Sequence, residues 1–170
     1  MIKNDLLKVF SEFYDNGIIN ACTNASFICL IPKKERSLKL KDFRPIILVT
    51  SLYKIMAKVL ANRLKGVLSG TISSSQSAFI EGRQILDAVL VANEVVDDYK
   101  RRRLEGVLFK VDFEKTYDYV DWNFLDFMLE SKGFGSRWRK WIWGCLSSTN
   151  FFVVLNGKPG KVFKAFRGLR

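Results

Sequence analysis

Histidine is absent from this 170-residue sequence, and cysteine is scarce, with only Cys22, Cys29 and Cys145. Without histidine, the Ser-His and Cys-His pairs that activate nucleophiles are excluded. The cysteines are odd in number and lack C-x-x-C spacing, so the sequence supports neither a disulfide framework nor a typical zinc site. We expect reduced, buried thiols. Carboxylates acting with a bound metal remain as the plausible catalytic groups.

Acidic residues are in the minority, with 17 Asp and Glu against 28 Lys and Arg, which gives a formal net charge of +11. This balance favours a polyanionic partner such as nucleic acid, although ribosomal and membrane-surface proteins share it. Long hydrophobic runs are missing too: no stretch approaches membrane-spanning length, and residues 1–10 do not form a secretory signal. We therefore expect an intracellular protein, cytoplasmic or nuclear, with no membrane partner.

Apolar residues are plentiful, at 48% of the chain, which is enough for a core in one domain or a large piece of one. Hydrophobic periodicity predicts helices over residues 4–17, 51–69, 83–103 and 121–129 and from residue 136 on. It predicts strands over residues 26–32, 43–49, 150–155 and 161–167. A basic connector joins the first two strands into a hairpin, and Asn156-Gly157 forms a turn between the last two.

After Gly106 comes a short apolar run, Val107, Leu108, Phe109 and Val111, which is typical of a buried strand, and Asp112 stands where that run stops. A carboxylate at a strand end lies beside a loop, where it suits a hard cation such as Mg²⁺. The alternative is common, because an Asp at such a junction usually caps a turn or the next helix. The strand pattern alone favours the cap.

The string FKVDFEKTYDYVDW around Asp112 resembles motif A of the reverse transcriptases of non-LTR (LINE-type) retrotransposons, with Thr116 at a position that is usually Ala. The resemblance implies that Asp112 is the catalytic carboxylate and a ligand of the catalytic Mg²⁺ ions. It also implies that Phe113 and Tyr117 contact the incoming nucleotide. Tyr117 would lie beneath the sugar and exclude ribonucleotides.

Two further strings resemble the same family. The pair LIPKK and DFRPI resembles its fingers hairpin, which implies that Arg44, with Lys33 as a weaker candidate, contacts the triphosphate of the nucleotide. QSAFIEGR resembles a motif associated with the template strand, which implies template contacts for Gln76, Phe79 and Arg83. From the residues alone, each Lys of the connector is better explained as part of a solvated loop, and Phe79 as a core residue.

The resemblance runs from residue 24 to residue 170 and implies an α/β (α+β) fold, with helices packed on the mainly antiparallel sheet of a right-hand polymerase. Residues 1–105 would be fingers-like, and residues 106–170 would be the first half of the palm. The family's motif B and the carboxylates of its motif C have no counterpart in these 170 residues. We therefore expect a truncated RNA-directed DNA polymerase that is inactive as this chain.

The partners that the resemblance implies are an RNA template, a DNA primer, deoxynucleoside triphosphates and the missing C-terminal half of the domain. We also expect an unfinished sheet, whose edge after Ser148 allows copies to self-associate. Two alternatives stay open: a non-catalytic nucleic-acid-binding module, and a degenerate relic without a selected function. In the helix over 51–69, the resemblance predicts that Arg63 points inward.

Overall fold

The computed structural model of the chain describes residues 2–21, 23–113 and 115–169. Residues 1–58 and 115–170 form one compact unit, and residues 59–114 form a second. The helices are α1 (Ile2–Asn16), α2 (Ser51–Thr71), α3 (Ile85–Arg102), α4 (Trp122–Ser131) and α5 (Ser136–Ser147). The strands are β1 (Ala25–Pro32), β2 (Phe43–Val49), β3 (Asn150–Leu155) and β4 (Lys158–Phe163). The predicted α/β class is confirmed.

The four strands form a single sheet in the order β2-β1-β3-β4. β1 pairs with β2 and β3 pairs with β4 in antiparallel orientation, whereas β1 and β3 are parallel. The sheet is therefore mainly antiparallel, as predicted. The positive φ angles of Asn156 (51°) and Gly157 (76°) form the two-residue turn that sets Lys158 opposite Leu155. For this reason β4 begins at Lys158 and not at residue 161.

The predicted buried strand over residues 107–111 is wrong. Residues 104–113 have no regular secondary structure, and the side chains of Val107, Leu108 and Phe109 are 80%, 77% and 85% exposed. An apolar run becomes a strand only when a neighbouring strand takes its hydrogen bonds and a layer covers its face. Among the residues that the structure describes, none of the sheet pairings includes this run.

The core of the first unit forms where α1 meets α5. Trp141 is 5% exposed, its ring lies 5.4 Å from that of Tyr14, and its indole N–H donates to the Tyr14 carbonyl. A Cβ atom on Gly144 would lie 1.6 Å from the carbonyl oxygen of Gly17, so only glycine permits this approach. The Trp-rich helix is therefore a core element, as its amphipathic spacing predicts.

The sheet is tied to α5 through Asn24, which is fully buried before β1. Its amide nitrogen donates to the hydroxyl groups of Ser148, at 2.8 Å, and Thr149, at 3.2 Å. These bonds satisfy a polar side chain inside the core, which would otherwise destabilise the fold. They also fix the end of α5 against the start of the sheet.

Two side-chain predictions have mixed outcomes. Arg63 is exposed on α2, so the predicted inward orientation is wrong: the buried positions of this helix are Tyr53, Met56 and Leu60. The predicted buried thiol is confirmed at Cys145, whereas Cys29 is only partly buried, and both are free. Cys22 lies outside the described residues.

Candidate functional site

The connector between β1 and β2 is folded around Asp42. The carboxylate pairs with the ammonium group of Lys34 at 3.0 Å and accepts hydrogen bonds from the backbone N–H groups of Leu38 and Lys39. The hydrogen bond from Lys34, followed by those from the backbone, holds the pKa of Asp42 below its usual range. The connector is therefore an ordered loop in which one carboxylate offsets part of the basic charge.

Arg44 and Lys33 lie at the same end of this hairpin. Arg44 is exposed on β2, opposite Ile31, and Lys33 directly follows the last strand pair, Pro32 with Phe43. The ammonium group of Lys33 donates to the Lys41 carbonyl at 2.8 Å, so it helps to close the loop. Its backbone N–H also donates to the Asp42 carbonyl, at 2.8 Å. The hairpin thus places at one end of the sheet the two residues to which the family resemblance assigns the triphosphate.

Tyr117 lies in a 3₁₀ turn, Thr116–Tyr119, which Val120 and Asp121 separate from α4. Its side chain is 62% exposed. The main chain of the turn is bound to the segment 168–169: the N–H of Leu169 donates to the Tyr117 carbonyl at 2.7 Å, and the N–H of Gly168 donates to the Val120 carbonyl at 2.8 Å. The turn therefore has a fixed backbone and an accessible ring.

Asp121, which follows this turn, caps α4. Its carboxylate accepts hydrogen bonds from the backbone N–H groups of Asn123, at 2.8 Å, and Phe124, at 2.9 Å. This confirms the predicted cap and satisfies two of the N–H groups that a helix leaves open at its first turn.

Asp112 and Phe113 belong to the second unit, in the irregular segment after α3, and both are exposed. A metal site needs several oxygen ligands that converge on one point. In the parts of the chain that the structure describes, no three Asp, Glu, Cys or His side chains are grouped in this way. The described residues around Asp112 therefore do not fit a Mg²⁺ site, although Asp112 itself can supply one carboxylate.

The predicted template residues lie in the loop between α2 and α3. The guanidinium group of Arg83 donates from Nη1 to the carbonyl oxygens of Ser73, at 2.6 Å, and Gln76, at 2.7 Å, and so closes the loop. Phe79 is 88% exposed, at a positive φ of 63°, which excludes the core position that its residue type favours. The loop therefore presents an aromatic face, and its arginine is partly used for internal bonds.

Sequence reasoning missed the roles of Asp42 and of the segment 168–169. Both form hydrogen bonds to residues that no sequence motif pairs with them. A signal was available only for Asp42, which with Glu35 is one of two acids among the basic residues of the connector.

Comparison with known proteins identifies the family. A family model described as "Reverse transcriptase (RNA-dependent DNA polymerase)" matches residues 31–170. The chain belongs to the reverse transcriptase family. It is also similar to the "Transposon TX1 uncharacterized 149 kDa protein" of Xenopus laevis, with 29% identity over 166 residues, or 98% of this chain. The chain spans 13% of the length of that relative.

Membership in the reverse transcriptase family confirms the resemblance that the sequence motifs carry. Within residues 2–21, 23–113 and 115–169, each helix is too short or too polar to span a lipid bilayer.

Proposed function

We propose that this chain is the nucleotide- and template-contacting part of an RNA-directed DNA polymerase encoded by a non-LTR transposon. Residues 1–105 would form the fingers, and residues 106–170 would begin the palm. The observation that carries the proposal is the family match over residues 31–170, because that range contains every residue to which we assign a role. A polymerase of this kind works where RNA and DNA are found, so the proposal includes a cytoplasmic or nuclear location.

Asp112 is the proposed metal ligand and catalytic carboxylate. Two-metal nucleotidyl transfer requires two ions roughly 4 Å apart, held by more than one carboxylate. No acidic cluster surrounds Asp112 in the described residues, so we assign the remaining ligands of the proposed polymerase to other residues. The chain by itself would then bind substrates without joining them.

The incoming nucleotide is assigned to Arg44, Lys33, Phe113 and Tyr117. An exposed guanidinium binds phosphate oxygens in a bidentate fork, which suits Arg44 for the triphosphate. The ammonium group of Lys33 already binds a carbonyl, so its contribution would be positional. The exposed rings of Phe113 and Tyr117 offer flat surfaces for the sugar, with Tyr117 as the group that excludes a 2′-hydroxyl.

The template strand is assigned to the loop that carries Gln76, Phe79 and Arg83. Base stacking on an exposed aromatic ring contributes about 1–3 kcal/mol per base, and the ring of Phe79 is accessible for it. Gln76 is exposed and offers its side-chain amide. Arg83 would act mainly by holding the loop in shape.

Primer extension on an RNA template tests the proposal. We expect no incorporation by this chain alone, because its described residues lack a complete metal site. In a longer polypeptide that contains the chain and extends a primer, Asp112→Asn should reduce incorporation to the assay background, since the amide cannot replace a charged metal ligand.

The matched control is Asp97→Asn, which makes the same chemical change at an exposed carboxylate of α3 and should keep full activity. Incorporation by this chain alone that is abolished by Asp112→Asn would show that its own residues complete the site. Equal activity of the Asp112→Asn and parent polypeptides would refute the assignment of Asp112.

A second candidate function is a non-catalytic nucleic-acid-binding module. The basic connector and the missing acidic cluster in the described chain favour it, and it predicts binding with little sequence preference. Self-association at a sheet edge is a further proposed interaction. The binding module and the self-association are both compatible with the family. Primer extension by the longer polypeptide would favour the polymerase over the non-catalytic module.

A further inference from the structure

The 3₁₀ turn that carries Tyr117 is held by a segment that lies much further along the sequence. Residues 166–169, which we call the 166–169 segment, run beside it in the same compact unit. Gly168 and Leu169 donate backbone hydrogen bonds to Val120 and Tyr117, at 2.8 and 2.7 Å. Such bonds fix the path of the main chain on both sides of the turn.

Side chains add to this contact. The indole N–H of Trp122, a core residue that is 8% exposed, donates to the Gly168 carbonyl at 2.8 Å. An antiparallel bridge joins Asp121 to Arg167, and the Arg167 guanidinium lies 4.9 Å from the centre of the Tyr119 ring. The segment is therefore anchored to the first turn of α4 and also to the turn before it.

Gly168 is required by geometry. Its φ is +88°, and a Cβ atom built on it would lie 2.9 Å from the carbonyl oxygen of Asp118, within the turn. Any other residue would strain its own backbone and push against the main chain between Tyr117 and Tyr119. The contact distance is thus set by the absence of a side chain at this position.

From these contacts we propose that Gly168 and Leu169 are positioning residues for Tyr117. The proposal rests on the proposed function, in which the Tyr117 ring discriminates between deoxyribose and ribose. Discrimination against one hydroxyl group requires a ring held in place, and Tyr117 is itself exposed, so few contacts of its own can hold it. The 166–169 segment supplies the rigidity through the backbone, without touching substrate.

The first test uses hydrogen exchange on this chain. Gly168→Ala should accelerate exchange of the Leu169 amide roughly tenfold, the cost of about one backbone hydrogen bond. Gly133→Ala is the matched control, because Gly133 also has a positive φ, +79°, but has nothing within 4 Å of an added Cβ. Arg167→Gln, a surface change, should have a smaller effect in the same direction, roughly threefold.

The second test uses the longer, primer-extending polypeptide. Its readout is kcat/KM for a deoxynucleotide divided by that for the matching ribonucleotide. Gly168→Ala should lower this ratio roughly tenfold, while Gly133→Ala should leave it unchanged. Tyr117→Ala sets the ratio expected when the ring is absent.

Different results would overturn the contact, the positioning role and the proposed function. Equal Leu169 exchange in Gly168→Ala and the parent overturns the contact. Accelerated exchange with an unchanged ratio, in a polypeptide whose ratio falls on Tyr117→Ala, overturns the positioning role. If the longer polypeptide extends no primer, the proposed function fails, whereas the exchange comparison with Gly133→Ala still decides whether the 166–169 segment holds the turn.

Discussion

At the scale of single residues, Arg139 joins α4 to α5. Its Nε and Nη2 atoms donate to the two carboxylate oxygens of Asp126, at 2.8 and 2.6 Å, and Nη1 donates to Glu130. The hydrogen bond from Arg139 holds the pKa of Asp126 below its ordinary value. The hydrogen bonds that Arg139 donates to Asp126 and then to Glu130 raise the pKa of Arg139, which therefore stays protonated.

This pair predicts a pH-dependent stability. A carboxylate whose pKa is lowered on folding stabilises the protein above its unfolded pKa, and that contribution is lost as the pH falls through the folded pKa. Asp126→Asn should therefore lower the free energy of unfolding at pH 7, and the difference from the parent should shrink below about pH 4. Urea denaturation followed by tryptophan fluorescence measures it, because all four Trp residues lie in this unit.

Asp15→Asn is the control, since Asp15 is exposed and forms no ion pair among the described side chains. It should track the parent at every pH. A deficit in Asp126→Asn that stays constant down to pH 3 would contradict the linkage to this carboxylate.

At the scale of elements, the structure changes which cations of the connector are available for nucleic acid. Lys33 and Lys34 are bound within the loop, whereas Arg36 and Lys41 are exposed, with side chains for which the described structure shows no ion pair. Replacing both by Gln should reduce the slope of log affinity against log salt for single-stranded RNA by roughly 1.4, about 0.7 per lost phosphate contact. Fluorescence anisotropy over a salt series gives the slope.

The charge-matched control replaces Lys132 and Lys158, which are exposed in the same unit outside the connector. Its slope should stay that of the parent. If the two double variants lose the same amount, binding follows the net charge of +11 and the connector has no special role.

The elements also show what a sequence can predict. The Asp121 cap depends on neighbours two and three residues away, and the strand over 43–49 pairs with β1 across a single short connector, so local patterns located both correctly. The run over 107–111 has an equally good local pattern, but a strand depends on partners that are distant in sequence. The same limit hid Gly168, whose role depends on residues 117–122. At the candidate site, the sequence motifs therefore predicted which residues to consider. The contacts that hold those residues in place could be seen only in the structure.

At the scale of the whole molecule, the open edges of the sheet differ from the prediction. β3 lies between β1 and β4, and Phe151 is 9% exposed, so the edge expected after Ser148 is reduced to β4. Pro159 and two lysines interrupt β4, and such residues discourage strand addition. On β2, Pro45 discourages strand addition only along the first half of the strand. Residues 46–49 follow it, and the side chain of Leu48 is 52% exposed.

We therefore expect weak self-association through the second half of β2. Leu48→Lys places a charge at this edge and should shift the sedimentation velocity of concentrated protein to that of a monomer, while Val162→Lys on β4 should have little effect. Higher salt should strengthen association of the parent, because it screens the repulsion between copies that each carry +11. Loss of association in Val162→Lys alone would place the contact on β4. Association that persists in both variants would mean that a surface other than the sheet edges joins the copies, and the exposed run over 107–111 would be the next surface to test.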